Sequence, residues 1–266
     1  MTNSLNLSII ALLLLIPPAI LPFYGRHIRG WLFWLFLFFA IAGAFCWVLF
    51  VFVSGWRTGL AASLWVTVAA SLVIFGLLAA FMRDSWRLSP LLFPYLCVLA
   101  LFATIWLGRP AQFILGDAIS IWIIVHIVFS VVSYGLLTIS AISALAVILQ
   151  ERALKSKRPN AYTRVLPSVA DGERIQVGLL SLGSFILGLN LLSGMIAEYF
   201  ETGQLIEFGH KTTFGITTFL IVVFLMIMHL RTGARGRSIA RYILVAYCFI
   251  TLAYPGVKFV TDVLLV

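Results

Sequence analysis

The chain has 266 residues, of which 62% are hydrophobic and 10% charged, and its mean hydropathy is +1.11. That composition excludes an ordinary soluble domain. The net charge of +9 at pH 7 would suit a polyanion, but the cations are distributed by topology rather than gathered into a patch, which argues against a nucleic-acid partner.

The stretch MTNSLNLSII has no Lys or Arg before its apolar run and no small-residue cleavage site. The first apolar block is therefore expected to be a spanning helix rather than a cleaved signal. In chain order the blocks predict eight spans, at about 5–24, 30–53, 60–81, 91–107, 118–149, 175–198, 210–230 and 240–264, most long enough to cross roughly 30 Å of hydrocarbon. Cys46, Cys97 and Cys248 stand singly inside these runs with no CxxC or CxxCH spacing. They read as small packing residues and give no support to a redox pair or to covalently held haem.

Sorting the cations by side fixes the expected orientation. The loops after the first, third, fifth and seventh spans carry 14 of the 18 Lys and Arg residues, among them Arg83, Arg87, Arg152, Arg174 and Arg235. The other side holds Arg57, Arg109, Lys211 and Lys258. The positive-inside rule then puts both termini outside the cytoplasm. The segment from Gln150 to Arg174 is expected to be a solvated cytoplasmic connector beside the lipid headgroups. The opposite loop EYFETGQLIEFG is acidic, with Glu198, Glu201 and Glu207. No internal repeat supports an inverted-repeat transporter.

Four histidines punctuate the apolar chain. His27 and His229 fall beside arginines at cytoplasmic ends of spans, where imidazoles are cheap. His126, in IWIIVHIVFSVVSYG, and His210, in FGHKTTFG, fall towards the outer side. His126 lies nominally about 12 Å into its span at about 1.5 Å per residue. That span is longer than the roughly 20 residues needed to cross, so tilting or protrusion brings the two imidazoles to similar depth.

At helical spacing His126 shares a face with Ser130, Ser133, Ser140 and Ala144, and His210 with Thr213, Phe214 and Thr217. Small and hydroxylated faces are expected to point into the bundle. The sixth span adds Asn190 at comparable depth, with Ser184/Gly188 and Asn190/Gly194 at close-packing spacing. Two inward imidazoles fit either packing histidines bonded to nearby hydroxyls or a ligand pair; the cost of ionisable groups in the bilayer favours the pair. Zinc lacks a four-ligand set, whereas haem needs only two axial ligands. Lys211 and Lys258 could face haem propionates.

The second half resembles the cytochrome c assembly protein family, which includes CcsA-type haem-handling proteins and smaller HemX- and YpjD-like proteins. The resemblance rests on HIVFSVVSYGLLTISAISALAVILQERALK, LPSVADGERIQVGLLSLGSFILGLNLLSG, GHKTTFGITTFLIVVFLMIMHLRTGARGR and AYPGVKFVTDVLL, over about residues 118–264. The LQERALK end of the fifth span and the GHK start of the seventh are its more specific parts. Size and span number look most like the YpjD-like branch. The resemblance implies that His126 and His210 are haem ligands. The tryptophan-rich WGxxWxWD motif of true cytochrome c synthases is absent, which speaks against synthase activity.

The expectation is an all-α polytopic bundle of about eight spanning helices, one integral membrane domain over 1–266. Residues 1–110 form four N-terminal spans and 118–264 a haem-handling half. It is expected to bind haem b near the outer face through His126 and His210, with Lys211, Lys258 and Asn190 beside the site and no catalytic residue. The expected partners are the lipid bilayer, haem, and other cytochrome-assembly or haem-synthesis proteins. Two other classes stay open: a regulator or scaffold of haem biosynthesis, and a small-molecule transporter.

Overall fold

A computed structural model describes residues 2–23, 30–53, 57–82, 84–108, 112–113, 121–204, 209–232 and 236–260. The side chains of Thr2, Arg57, Thr58, Gln112, Phe113, Glu201, His210, Lys211 and Thr232 lie outside that description. Helices α1 (Thr2–Ile20), α2 (Trp31–Val53), α3 (Leu60–Phe81) and α4 (Ser89–Ile105) form the N-terminal half. The C-terminal half holds α5 (Ile121–Ser156), the short α6 (Ala161–Val165), α7 (Val169–Thr202), α8 (His210–Thr232), α9 (Arg237–Thr251) and α10 (Val257–Phe259). A single π turn, Leu252–Gly256, joins the last two. Strands β1 (Arg57–Thr58) and β2 (Gln112–Phe113) make a minimal antiparallel pair.

Among the described residues, eight helices are long and apolar enough to cross a membrane. The outward faces agree: Trp31, Phe38, Val53 and Phe81 are exposed, at 65–88%, a surface suited to lipid. The chain is an all-α polytopic membrane protein.

Helix α5 is the axis. Every residue from Ser133 to Ala144 is buried, so this stretch meets protein on all sides. Its small side chains make that possible. A Cβ built on Gly135 would stand 2.6 Å from Ile74 Cδ1 of α3, so glycine gives the Ile74 side chain its room. On the other side, Ser140 donates to Gln176 O at 3.0 Å and Ser143 to Gly172 O at 2.8 Å, stitching α5 to α7. Such interhelical bonds contribute about 0.6 to 2 kcal/mol each within a bilayer.

The core divides around this axis. One cluster packs α1–α4 against α5, with Trp47 stacked on Trp65 at 5.4 Å. Trp65 Nε1 donates to Ser8 Oγ at 3.0 Å, which satisfies a buried indole. The second cluster joins α5, α7, α8 and α9.

The connector 150–174 is largely helical rather than an open loop. Helix α5 continues to Ser156, and Asn160 and Thr163 form a capping box at α6. Gln150 Nε2 lies 2.8–3.2 Å from the carbonyl oxygens of Thr163, Leu166 and Pro167. Ser168 caps α7. At its far end α7 stops at Gly203, whose φ of 75° is readily available to glycine.

Candidate functional site

At the end of the bundle where α7 stops and α8 starts, α5, α7, α8 and α9 enclose a cavity of about 290 Å³. Helix α7 contributes one continuous stripe at helical spacing: Leu187, Asn190, Leu191, Gly194, Met195 and Glu198. His126, Ser130, Ser133 and Tyr134 come from α5, and Thr212, Gly215 and Ile216 from α8. Ile250 of α9, with Ala253 and Tyr254 on the π turn, closes the side. Proline at 255 removes a backbone donor there, and π turns often mark functional positions.

His126 is held by its back. Its Nδ1 lies 3.0 Å from the backbone oxygen of Asn190. A carbonyl oxygen only accepts, so Nδ1 carries the proton and donates. The lone pair then belongs to Nε2, the tautomer a metal ligand requires. Ser193 Oγ donates to the same oxygen at 2.9 Å and stands 3.4 Å from Nδ1. The Asn190 side chain is fixed as well, accepting from Ser130 Oγ at 2.7 Å.

The imidazole rests on bare backbone. A Cβ at Gly194 would come within 2.9 Å of His126 Cε1. Glycine at this position makes room for the ring.

Below the cavity lies a chain of hydroxyls. Tyr134 OH is 3.3 Å from Thr251 Oγ1 and 3.4 Å from Tyr247 OH. Tyr247 OH also meets Thr138 Oγ1 at 3.0 Å and Tyr95 OH of α4 at 2.5 Å. The cavity floor is thus tied to the N-terminal half.

His126 and Asn190 therefore converge on one cavity, and the α5 hydroxyl face points inward. Lys258 sits on α10 and is not among the cavity-lining residues. His210 opens α8; its side chain and that of Lys211 fall outside the described residues, as does His27. The inward face of α8 is Thr212, Gly215 and Ile216, rather than the stripe through Thr213 and Thr217. Those two hydroxyls bond to their own helix, at Gly209 O (3.0 Å) and Thr213 O (2.8 Å), and need no neighbour. Sequence reasoning placed Glu198 in a loop; it belongs to α7 and lines the cavity. The i, i+4 series from Asn190 through Gly194 to Glu198 could have found it.

The family model described as cytochrome c assembly protein matches residues 32–265. It thus reaches well into the N-terminal half, beyond 118–264. The chain is 46% identical over 270 residues to an uncharacterized 28.8 kDa protein of Azospirillum brasilense, covering all of both chains. It is 26% identical over 179 residues to the inner membrane protein YpjD of Escherichia coli K12, covering 67% of this chain and 66% of that one. No solved structure matches the chain. Matched over most of its length, this chain belongs to the cytochrome c assembly protein family.

Proposed function

We propose that the cavity around His126 would hold haem b through His126 Nε2 and His210, and that the protein serves haem handling in cytochrome c maturation. The observation that carries the reading is the Nδ1 bond from His126 to the Asn190 carbonyl. It sets the tautomer, aims the ring and strengthens Nε2 as a donor. Family membership supports haem as the ligand. The likeness to an inner membrane protein supports a multi-pass place in that membrane. The cation bias of the loops supports periplasmic termini and a site near the outer face.

His126 supplies one donor that suits the group. Haem needs an imidazole lone pair on one side and apolar walls, and Leu187, Leu191, Ile216 and Ile250 supply the walls. When bound, haem supplies an iron centre that His126 retains. The other residues position: Asn190 and Ser193 orient the imidazole, and Gly194 leaves it room. Lys211, beside His210 in sequence, and Lys258, four residues past the lining Tyr254, would supply cations for the propionates.

At about 290 Å³ the cavity lies just below the usual range of roughly 300–1,000 Å³ for ligand sites. Occupancy therefore needs one wall to yield. Helix α8 is the wall suited to this, since among its described side chains only Thr218, Val222 and Leu225 are buried.

Haem titration of the purified full-length protein tests the reading. The wild type should give a low-spin bis-histidine spectrum. His126→Ala and His210→Ala should each convert or abolish it, while His229→Ala leaves it intact. A folded, colourless wild type supplied with ample haem would refute the haem site and turn attention to a partner-binding role.

A further inference from the structure

A second cavity, of about 330 Å³, lies at the opposite, basic end and plays no part in the site above. Glu173, Arg174, Gln176 and Val177 of α7, His229 of α8 and Ile239 of α9 line it. His229 is three residues from the end of α8 and Ile239 two residues past the start of α9. These positions fall near the ends of three candidate spanning helices.

Its polar lining side chains are Glu173, Arg174, Gln176 and His229. Gln176 is 1% exposed, yet its side-chain Oε1 accepts no hydrogen bond among the described residues. Leaving a buried acceptor unmade costs about 1–3 kcal/mol, so a donor brought to this position by water or by a ligand is stabilised there. The Glu173 carboxylate is a second acceptor and forms no ion pair with a described side chain. Its Oε1 stands 3.5 Å from where a Cβ of Gly236 would be, and the Glu151 carboxylate approaches the same residue. Glu151 is already engaged, accepting from Arg237 N–H at 3.0 Å. Arg174, exposed, places a cation at the rim. Acceptors inside and a cation outside suit a ligand that inserts a donating ammonium and leaves an anion behind.

We propose that this cavity binds a zwitterionic aminoalkyl phosphate, its ammonium donating to Gln176 Oε1 and Glu173 and its phosphate facing Arg174. The chemistry is shared by the headgroup of phosphatidylethanolamine and by free phosphoethanolamine. Phosphatidylcholine offers the same phosphate with no N–H, and phosphatidylglycerol lacks the cation, so these two lipids are the discriminating controls.

The experiment measures binding of these four compounds to the delipidated full-length protein in detergent, by native mass spectrometry and thermal shift. Phosphatidylethanolamine should bind at least about tenfold more tightly than phosphatidylcholine or phosphatidylglycerol. Gln176→Met and Glu173→Gln should each remove that preference, whereas Gln176→Glu should keep it. Effective competition by free phosphoethanolamine identifies a soluble ligand; its failure to compete identifies the lipid. Equal binding of the three lipids overturns the proposal, as does an unchanged preference in Gln176→Met. Should Gln176→Met not fold, Glu173→Gln, at a half-buried position, decides in the same way. Loss of the preference in Gln176→Glu would mean that the pocket receives an anion, and would equally overturn the proposal.

Discussion

Replacing Gly194 with alanine should separate ligand retention from folding stability. The new Cβ would stand 2.9 Å from His126 Cε1 and 3.1 Å from Nδ1. Carbon contacts settle at about 3.5–4.0 Å, so the ring must retreat by roughly 0.6 Å or more. That movement stretches the 3.0 Å bond from Nδ1 to Asn190 O to about 3.6 Å, beyond hydrogen-bond range. Losing the bond costs about 0.5–1.5 kcal/mol. Alanine returns about 0.5–1 kcal/mol through helix propensity. Stability should therefore change by less than about 1 kcal/mol.

Ligand hold responds differently, because a histidine freed from its orienting partner typically loses about 10–100-fold in affinity. Haem titration read beside thermal unfolding of the same sample measures both quantities. Gly178→Ala is the control, since nothing lies within 4 Å of a Cβ there; it should leave haem affinity near wild type and raise stability by about 0.5–1 kcal/mol through helix propensity. Wild-type haem affinity in Gly194→Ala would refute the cradle, and so would an equal loss in Gly178→Ala.

Two further outcomes are expected. A topology reporter after Val266 should act as periplasmic and one near Asn160 as cytoplasmic; finding both on one side would overturn the orientation drawn from the cations. Tyr247→Phe removes the hydroxyl shared by Tyr95, Thr138 and Tyr134 and should lower stability by about 1–3 kcal/mol through buried groups left unpaired. A thermal shift within error of wild type would mean that the hydroxyl chain does not join the two halves.

What the sequence made legible followed from periodicity. The eight spans and the inward α5 face through Ser130, Ser133 and Ser140 could be read because an apolar block has a length and a helix has a repeat. The meeting of His126 with Asn190 was legible only as equal depth. What escaped is pairing across the chain. Tyr95 and Tyr247 are 152 residues apart, and no local pattern signals their contact. Glycine spacing was informative but not selective: Gly188 is closely packed, since a Cβ there would meet Phe219 at 3.3 Å, and Gly76, which no spacing singled out, is packed as tightly against Ile41 at 3.2 Å. Gly194 differs because a functional side chain, rather than a flexible apolar one, occupies the space above it.

The lengths of the cavity-forming helices have a consequence for how the membrane acts on the site. Helix α5 has 36 residues and α7 has 34, about 54 and 51 Å at about 1.5 Å per residue. Both overrun the hydrocarbon layer of about 30 Å, so its boundary can shift along them without leaving either too short. Helix α8 has 23 residues, about 35 Å, which leaves little to spare. A thicker or thinner bilayer therefore strains the wall at Thr212 and Gly215 and spares the helix that carries His126. Acyl-chain length becomes a control on the aperture of the site, readable as a change in haem dissociation rate across vesicles of graded thickness; a rate independent of thickness would show that α8 is anchored by protein alone.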